Sequence, residues 1–214
     1  SNCRKAVRGV DIVFHLAGRG GGIGFMRKNP GDVFYDNILM STQLIHEAKE
    51  AKVEKFIALG TVCSYPKFAS IPFSEEEIWN GYPEETNAAY GLSKKINEEI
   101  SKIYNNYYGL KLIGLRFFTV YGPWDRPDMA LQKFTKSILA GEKIQVFNYG
   151  KHQRDFTYID DIVEGVIRVL DQPAMPNQIW DSGQPDPGSS SAPWRIYNIG
   201  NNSPVKLLDY IKAI

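Results

Sequence analysis

The 214-residue sequence predicts an α/β protein built on a parallel sheet. Short, apolar, β-branched runs alternate along the chain with longer segments of helical character, the order that produces parallel strands joined by crossover helices. Pro and Gly punctuate that order at helix starts and ends. The composition, 43% hydrophobic and 23% charged, is that of a globular chain long enough to bury a sizeable core.

"VDIVFHLA" (10–17) reads as a buried strand. A helix starts near Pro30, which suits a first helical turn, and runs to about Ala51. "KFIALG" (55–60) is a second strand. A long loop rich in Pro, Glu and aromatics follows. "AYGLSKKINEEISKIYNNYYG" is a helix that ends at Gly109, a C-terminal glycine. "LKLIGLRFF" is a third strand. A loop at 119–128, a helix at 129–140, short strands near 144–147 and 154–157 and a helix at about 159–171 come next. After a Pro/Gly/Ser-rich loop at 173–193, "RIYNIG" is a last strand, and a final helix opens at Pro204.

Net charge is +1, without a long basic or acidic run, so nucleic acid and anionic membrane surfaces are not expected partners. No apolar stretch approaches the length of a membrane span. Cys3 and Cys63 are too few for a disulfide framework or a cysteine-based zinc site and fit a reducing, cytoplasmic setting. No metal site is expected.

"GRGGGIG" (18–24) follows the first apolar run and fits G-x-x-G-x-x-G, the spacing of a phosphate-binding turn. Such a turn places its glycines on the first turn of a helix, where free N–H groups face the pyrophosphate. Here "FMRKNP" intervenes before the expected helix. No acidic residue ends a second strand where a ribose carboxylate would sit. The glycines therefore read as a loop that can pass close to a ligand rather than as the phosphate cradle itself.

Tyr90 and Lys94 stand four apart on one predicted helix and share a face. A lysine ammonium near a phenol favours the phenolate and turns a poor base into a usable one. The spacing also arises by chance in a chain this rich in Tyr and Lys. Tyr107 and Lys111 match it too, with Gly109 breaking the helix between them. The pair gains weight because "ALGTVCSYP" ends a strand upstream with Thr61, Cys63 and Ser64, and ligands of open parallel sheets sit at such strand ends.

In this order, "VFHLAG", "YDN", "GTVCSYP", "YGLSK", "LRFFTVYGP" and "RDFTYIDD" resemble the extended short-chain dehydrogenase/reductase superfamily of nucleotide-sugar epimerases, dehydratases and reductases. The resemblance implies a Rossmann-like, doubly wound parallel sheet. "VFHLAG" matches the family's fourth strand, which implies a sheet without its first strands and a glycine turn upstream of residue 1. Residues 1–122 then belong to the NAD-binding domain, and 123–214 form mainly a small substrate-binding region with returning Rossmann elements. Residues 1 to about 97 look most like GDP-L-fucose synthase and GDP-mannose 3,5-epimerase relatives. The remainder looks like UDP-glucuronate 4-epimerase.

The resemblance also assigns roles. Tyr90 takes the proton from the sugar 4-hydroxyl, Lys94 supports it and binds the nicotinamide ribose, and Thr61 hydrogen-bonds the substrate oxygen. Ala17, Gly18, Asn37 and Phe117 match cofactor-contacting positions. For Asn37 the alternative is a helix-surface amide, and for Phe117 plain core. Thr119 and Arg126 fall in the loop that would meet a uronate carboxylate, for which arginine's planar fork is suited; the alternative for Arg126 is an ion pair with Asp125 or Asp128. Arg154 matches a phosphate-contacting arginine, with a pair to Asp155 or Asp160 as its alternative. Gln145 and Phe147 fall where relatives offer backbone groups to uracil. Cys63 matches an acid/base cysteine of 3,5-epimerases, but the partner histidine those enzymes carry has no counterpart here. His15 reads as a core strand residue and His46 as a helix-surface one.

Three functions follow: a UDP-glucuronate 4-epimerase working through a 4-keto intermediate, a GDP-4-keto-6-deoxy-mannose epimerase/reductase, and a catalytically idle fragment or binding module. The implied partners are NAD (or NADP, since the selecting strand lies outside the sequence), a nucleotide sugar and, for the full-length protein, a second copy.

Overall fold

The computed structural model describes residues 2–214, in which helices and strands alternate through most of the chain. The order is α1 (Asn2–Ala6), β1 (Ile12–His15), α2 (Ile23–Lys28), α3 (Pro30–Glu50), β2 (Lys55–Thr61), α4 (Ala88–Tyr108), β3 (Lys111–Phe117), β4 (Thr119–Tyr121), α5 (Ala130–Leu139), β5 (Gln153–Tyr158), α6 (Ile159–Asp171), β6 (Trp194–Ile199), β7 (Pro204–Lys206) and α7 (Leu207–Ala213). Two units divide the residues. One takes those up to Arg116 with Val166–Asn198; the other takes Phe117–Gly165 and Ile199–Ile214.

The first unit carries a four-stranded sheet in the order β1-β2-β3-β6. β1 and β2 are parallel, with Val13 opposite Phe56 and His15 opposite Ala58. β2 and β3 are buried along almost their whole length, on both faces, as strands covered by helices on each side must be. β1 ends the sheet with β2 as its neighbour, and its Phe14 is 44% exposed. The core gathers Val7 just after α1, Ile45 and Ala48 from α3, Phe56 and Ala58 from β2, Leu112 from β3, and Trp194 and Ile196 from β6.

Local chemistry explains the two long helices. Pro30 is the first residue of α3, with Asp32 in its first turn and Lys49 in its last, each favourable to the helix dipole. α4 ends on Gly109 at φ +68°, whose N–H bonds the Asn105 carbonyl. The second unit carries a three-stranded sheet, β4-β5-β7, with β4 and β5 parallel and β5 and β7 antiparallel. Phe156 of β5 stacks on Tyr210 of α7, ring centroids 4.1 Å apart.

Several sequence expectations need correction. Residues 144–147 form no strand: the chain passes into a 3-10 turn at Phe147–Gly150, in which Asn148, Tyr149 and Gly150 all adopt positive φ. Such left-handed backbone cannot continue a pleated strand. Pro204 opens a strand, and the last helix begins three residues later at Leu207. The 119–128 loop includes β4, and the long loop before α4 holds 3-10 turns at Val62–Ser64, Glu75–Trp79 and Glu85–Asn87. α2 occupies the segment taken as a spacer after the glycines. Among the described residues, no helix is long and apolar enough to cross a membrane, and no group of three or more His, Cys, Asp or Glu is placed to hold a metal.

Candidate functional site

β2 ends at Thr61, and the chain turns at once into the 3-10 turn of Val62–Ser64. Thr61 Oγ1 caps that turn by accepting the Cys63 N–H at 3.3 Å. α4 is pressed against the same turn. Ser64 Oγ donates to the Gly91 carbonyl at 3.1 Å, and a Cβ on Gly91 would stand only 2.2 Å from the Cys63 carbonyl oxygen. Only glycine permits that approach, and its neighbour in sequence is Tyr90. The segment holding Thr61 and the helix turn holding Tyr90 are thus locked together.

Lys94 lies one turn further along α4. It is 5% exposed, with Nζ 6.0 Å from the centre of the Tyr90 ring. Burial lowers its pKa, opposed by the Glu98 carboxylate a further turn on. The loop after β1 closes over this group. The Cβ position of Gly18 is 3.4 Å from Lys94 Nζ and 3.6 Å from Asn37 Oδ1. Asn37, 1% exposed, is no surface amide. Its Oδ1 accepts the Arg19 N–H at 2.7 Å and its Nδ2 donates to the Arg19 carbonyl at 2.9 Å. One buried side chain therefore satisfies both backbone groups of a loop residue and sets the path of Ala17 and Gly18 past Lys94. Arg19 is also paired with Asp36 on α3.

Behind the pair lies a polar layer that sequence reasoning did not identify. Arg116, inside the apolar run of β3, is fully buried and grips Glu98 through two hydrogen bonds of 3.0 and 2.9 Å. It also donates to Tyr65 Oη at 2.7 Å and to the Glu75 carbonyl at 3.0 Å. Burial raises the Glu98 pKa, and the Arg116 cation works against that rise. Glu98 and Arg116 pass β2 at Gly60, where a Cβ would stand 2.6 Å from Glu98 Oε1. The visible signal was an arginine interrupting "LIGLRFF". His15 is a core residue, as read. Its Nε2 is 2.8 Å from Ser41 Oγ, which also accepts from Asn97. Burial, with the nearby Lys94 cation, pushes His15 down to about 4.

A cavity of about 340 Å³ opens beside Tyr90, walled by Met26, Arg27, Glu85, Thr86 and Asn87 among others. The remaining residues singled out from the sequence lie in the second unit. Thr119 on β4 is in register with Phe156, so Arg154, two residues before Phe156 on β5, points to the same face as Thr119. Arg154 is exposed and donates to the Gln153 carbonyl. Arg126 is held by Asp128 through Nε and Nη2 at 2.9 and 3.0 Å. Gln145 and Phe147 are exposed, and Phe117 is half-buried at the end of β3.

The sequence pattern of the NAD dependent epimerase/dehydratase family matches residues 1–200. Protein CapI of Staphylococcus aureus is 42% identical over 204 residues, covering 95% of this chain and 60% of that protein. UDP-glucuronate 4-epimerase 2 of Arabidopsis thaliana is 39% identical over 206 residues, 94% of this chain and 45% of that protein, so the likeness runs through both halves of the sequence. A crystal structure of UDP-glucuronic acid 4-epimerase from Bacillus cereus, in complex with UDP-glucuronic acid and NAD, superposes with a TM-score of 0.77 at 28% identity, covering 99% of this chain and 60% of that one. The chain spans about half to three-fifths of the length of these relatives.

Proposed function

The chain belongs to the NAD-dependent epimerase/dehydratase family, and from that premise we propose that the protein carrying it interconverts UDP-glucuronate and its C4 epimer, UDP-galacturonate, through a 4-keto intermediate. The observation that carries the reading is that Gly18, Asn37, Lys94 and Tyr90 meet within the first unit, with the turn that Thr61 caps packed against Gly91 beside Tyr90. The relatives named as UDP-glucuronate 4-epimerases, similar along nearly the whole chain, support the choice of substrate.

The residues present fit a nicotinamide dinucleotide. Gly18 leaves an exposed backbone beside a buried ammonium, and Asn37 holds the loop in the path that keeps that backbone clear. Ala17, Gly18, Asn37, Tyr90, Lys94 and Phe117 are the residues proposed to hold it. When bound, NAD supplies the hydride acceptor and returns the hydride to the opposite face of the sugar. Tyr90 takes the proton of the 4-hydroxyl and gives it back. Thr61 hydrogen-bonds the same oxygen and fixes its distance from the phenol. Lys94 holds positive charge where the phenolate develops and hydrogen-bonds the nicotinamide ribose. Thr119 and Arg126 are assigned to the uronate and Arg154 to the phosphates, with backbone groups at Gln145 and Phe147 for uracil. Arg126 is paired with Asp128 and would have to release it to take a substrate carboxylate.

Incubating the full-length protein with UDP-glucuronate, and separately with a GDP-4-keto-6-deoxy sugar and NADPH, tests the reading. Formation of UDP-galacturonate in the first mixture is the expected result. Turnover of the GDP sugar alone would move the protein to the reductase class, and failure to bind either nucleotide sugar would make it an idle member.

A further inference from the structure

The cavity beside Tyr90 lies wholly within the first unit, between α2 and the start of α4. At about 340 Å³ it falls at the small end of ligand sites, room for one sugar ring and not for a whole nucleotide sugar. Its wall is chemically uneven. Thr86, Asn87 and Glu85 from one side offer hydroxyl, amide and carboxylate groups. Arg27 of α2 is also a lining residue, and its side chain carries a guanidinium.

Local packing explains why Arg27 stands there. Met26, the residue before it, is 8% exposed. Its Cε is 3.6 Å from the Cβ position of Gly20, which in turn is 3.8 Å from Tyr90 Cε2. Met26 therefore anchors α2 under the glycine loop and beside the tyrosine. The loop's glycines leave room for that seat, since a Cβ on Gly21 would strike the Phe25 ring at 2.8 Å. Arg27 follows the anchored residue into the cavity wall. It is exposed, and among the described residues no hydrogen bond or ion pair engages its guanidinium. Arg126, by contrast, already holds Asp128. A basic residue in the last turn of α2 favours the helix dipole, but Lys28 serves that end equally.

We propose that this cavity receives the sugar ring during turnover and that Arg27 supplies a cation of its own, in addition to the one assigned to Arg126, that reads an anionic substituent on the ring, with Glu85, Thr86 and Asn87 taking the ring hydroxyls. This rests on the 4-epimerase reading for the identity of the sugar, and it makes Arg27 a specificity-determining residue separate from the Tyr90 chemistry. A free guanidinium at the wall of a small cavity gains a charge-assisted, two-pronged bond with a carboxylate and nothing comparable with a neutral hydroxymethyl group.

The test is calorimetric affinity of the full-length protein for UDP-glucuronate and for UDP-glucose, measured on wild type, Arg27→Met and Arg27→Lys. Met keeps the stem and removes the charge; Lys restores the charge without the fork. The expected result for Arg27→Met is a loss of roughly 10- to 100-fold for UDP-glucuronate. UDP-glucose should change by less than about 3-fold, and Lys should recover part of the loss. Equal losses for both sugars, or none for either, would overturn the assignment of Arg27. Because the readout is binding, it separates from the failure of the epimerase reading. A protein that binds the uronate through Arg27 but forms no UDP-galacturonate would keep this inference and lose the reaction, and one that binds neither sugar would lose both.

Discussion

Replacing Gly91 with Ala tests whether the contact between α4 and the turn after β2 holds the chemistry together. The new Cβ would stand 2.2 Å from the Cys63 carbonyl oxygen and 3.0 Å from its carbon, whereas ordinary contact begins near 3.4 Å. Both obstacles are backbone, so about 1 Å must open between the helix and the turn. Overpacking of this kind costs about 1–3 kcal/mol. Against it, Ala is favoured over Gly within a helix by about 0.5–1 kcal/mol. With a backbone obstacle at 2.2 Å the steric cost falls in the upper part of its range, and the expected net loss is up to about 2.5 kcal/mol in urea unfolding. The larger effect falls on turnover, because the shift separates Thr61 from Tyr90, and about 1 Å of misplacement can cost on the order of 100-fold. Gly31→Ala is the control: nothing lies within 4 Å of its Cβ position near the start of α3, so stability should hold or rise slightly. Gly91→Ala with wild-type stability and wild-type turnover would refute the reasoning.

Two further outcomes follow from the buried polar groups of the first unit. His15 is neutral in the fold, pushed down to about 4 from about 6.5 in the unfolded chain; its contribution is whole above about pH 6.5 and is lost as pH falls toward 4, roughly 3 kcal/mol at most. Unfolding titrations should therefore show a shallower acid loss for His15→Gln than for wild type, and identical slopes would contradict the burial argument. Arg116→Met should cost about 3–5 kcal/mol by stranding Glu98, while Arg116→Met with Glu98→Leu should recover part of it; a double variant as unstable as the single one would show that Glu98 is not the liability.

Helix ends with a local cause were legible in the sequence. Pro30 and Gly109 act through backbone conformations that need no tertiary partner. The alternation of strand and helix was legible for the same reason. Where the outcome depends on distant contacts, the sequence misled. "KIQVF" has the character of a strand, yet the left-handed residues at 148–150 carry the chain out of any pleat. α2 was hidden because the glycines before it read as loop, and its seat is set by Met26 packing near Gly20 and Tyr90. Tyr90, Lys94 and Thr61 were readable as a spacing and a strand end. Asn37 was open between surface and site, and its burial with its two bonds to Arg19 removes the surface alternative. Arg27 carried no signal at all, because nothing in a sequence marks which face of a six-residue helix borders a cavity.

The most direct measurement is Tyr90→Phe in the full-length protein. Turnover of UDP-glucuronate and affinity for it are read on the same sample. Tyr90 is assigned the proton of the 4-hydroxyl and little contact area, so removing one oxygen should abolish formation of UDP-galacturonate while affinity changes by less than about 3-fold. A variant that still turns over at more than about a tenth of the wild-type rate would contradict the role given to Tyr90, and with it the reading of Thr61, Tyr90 and Lys94 as the reacting group.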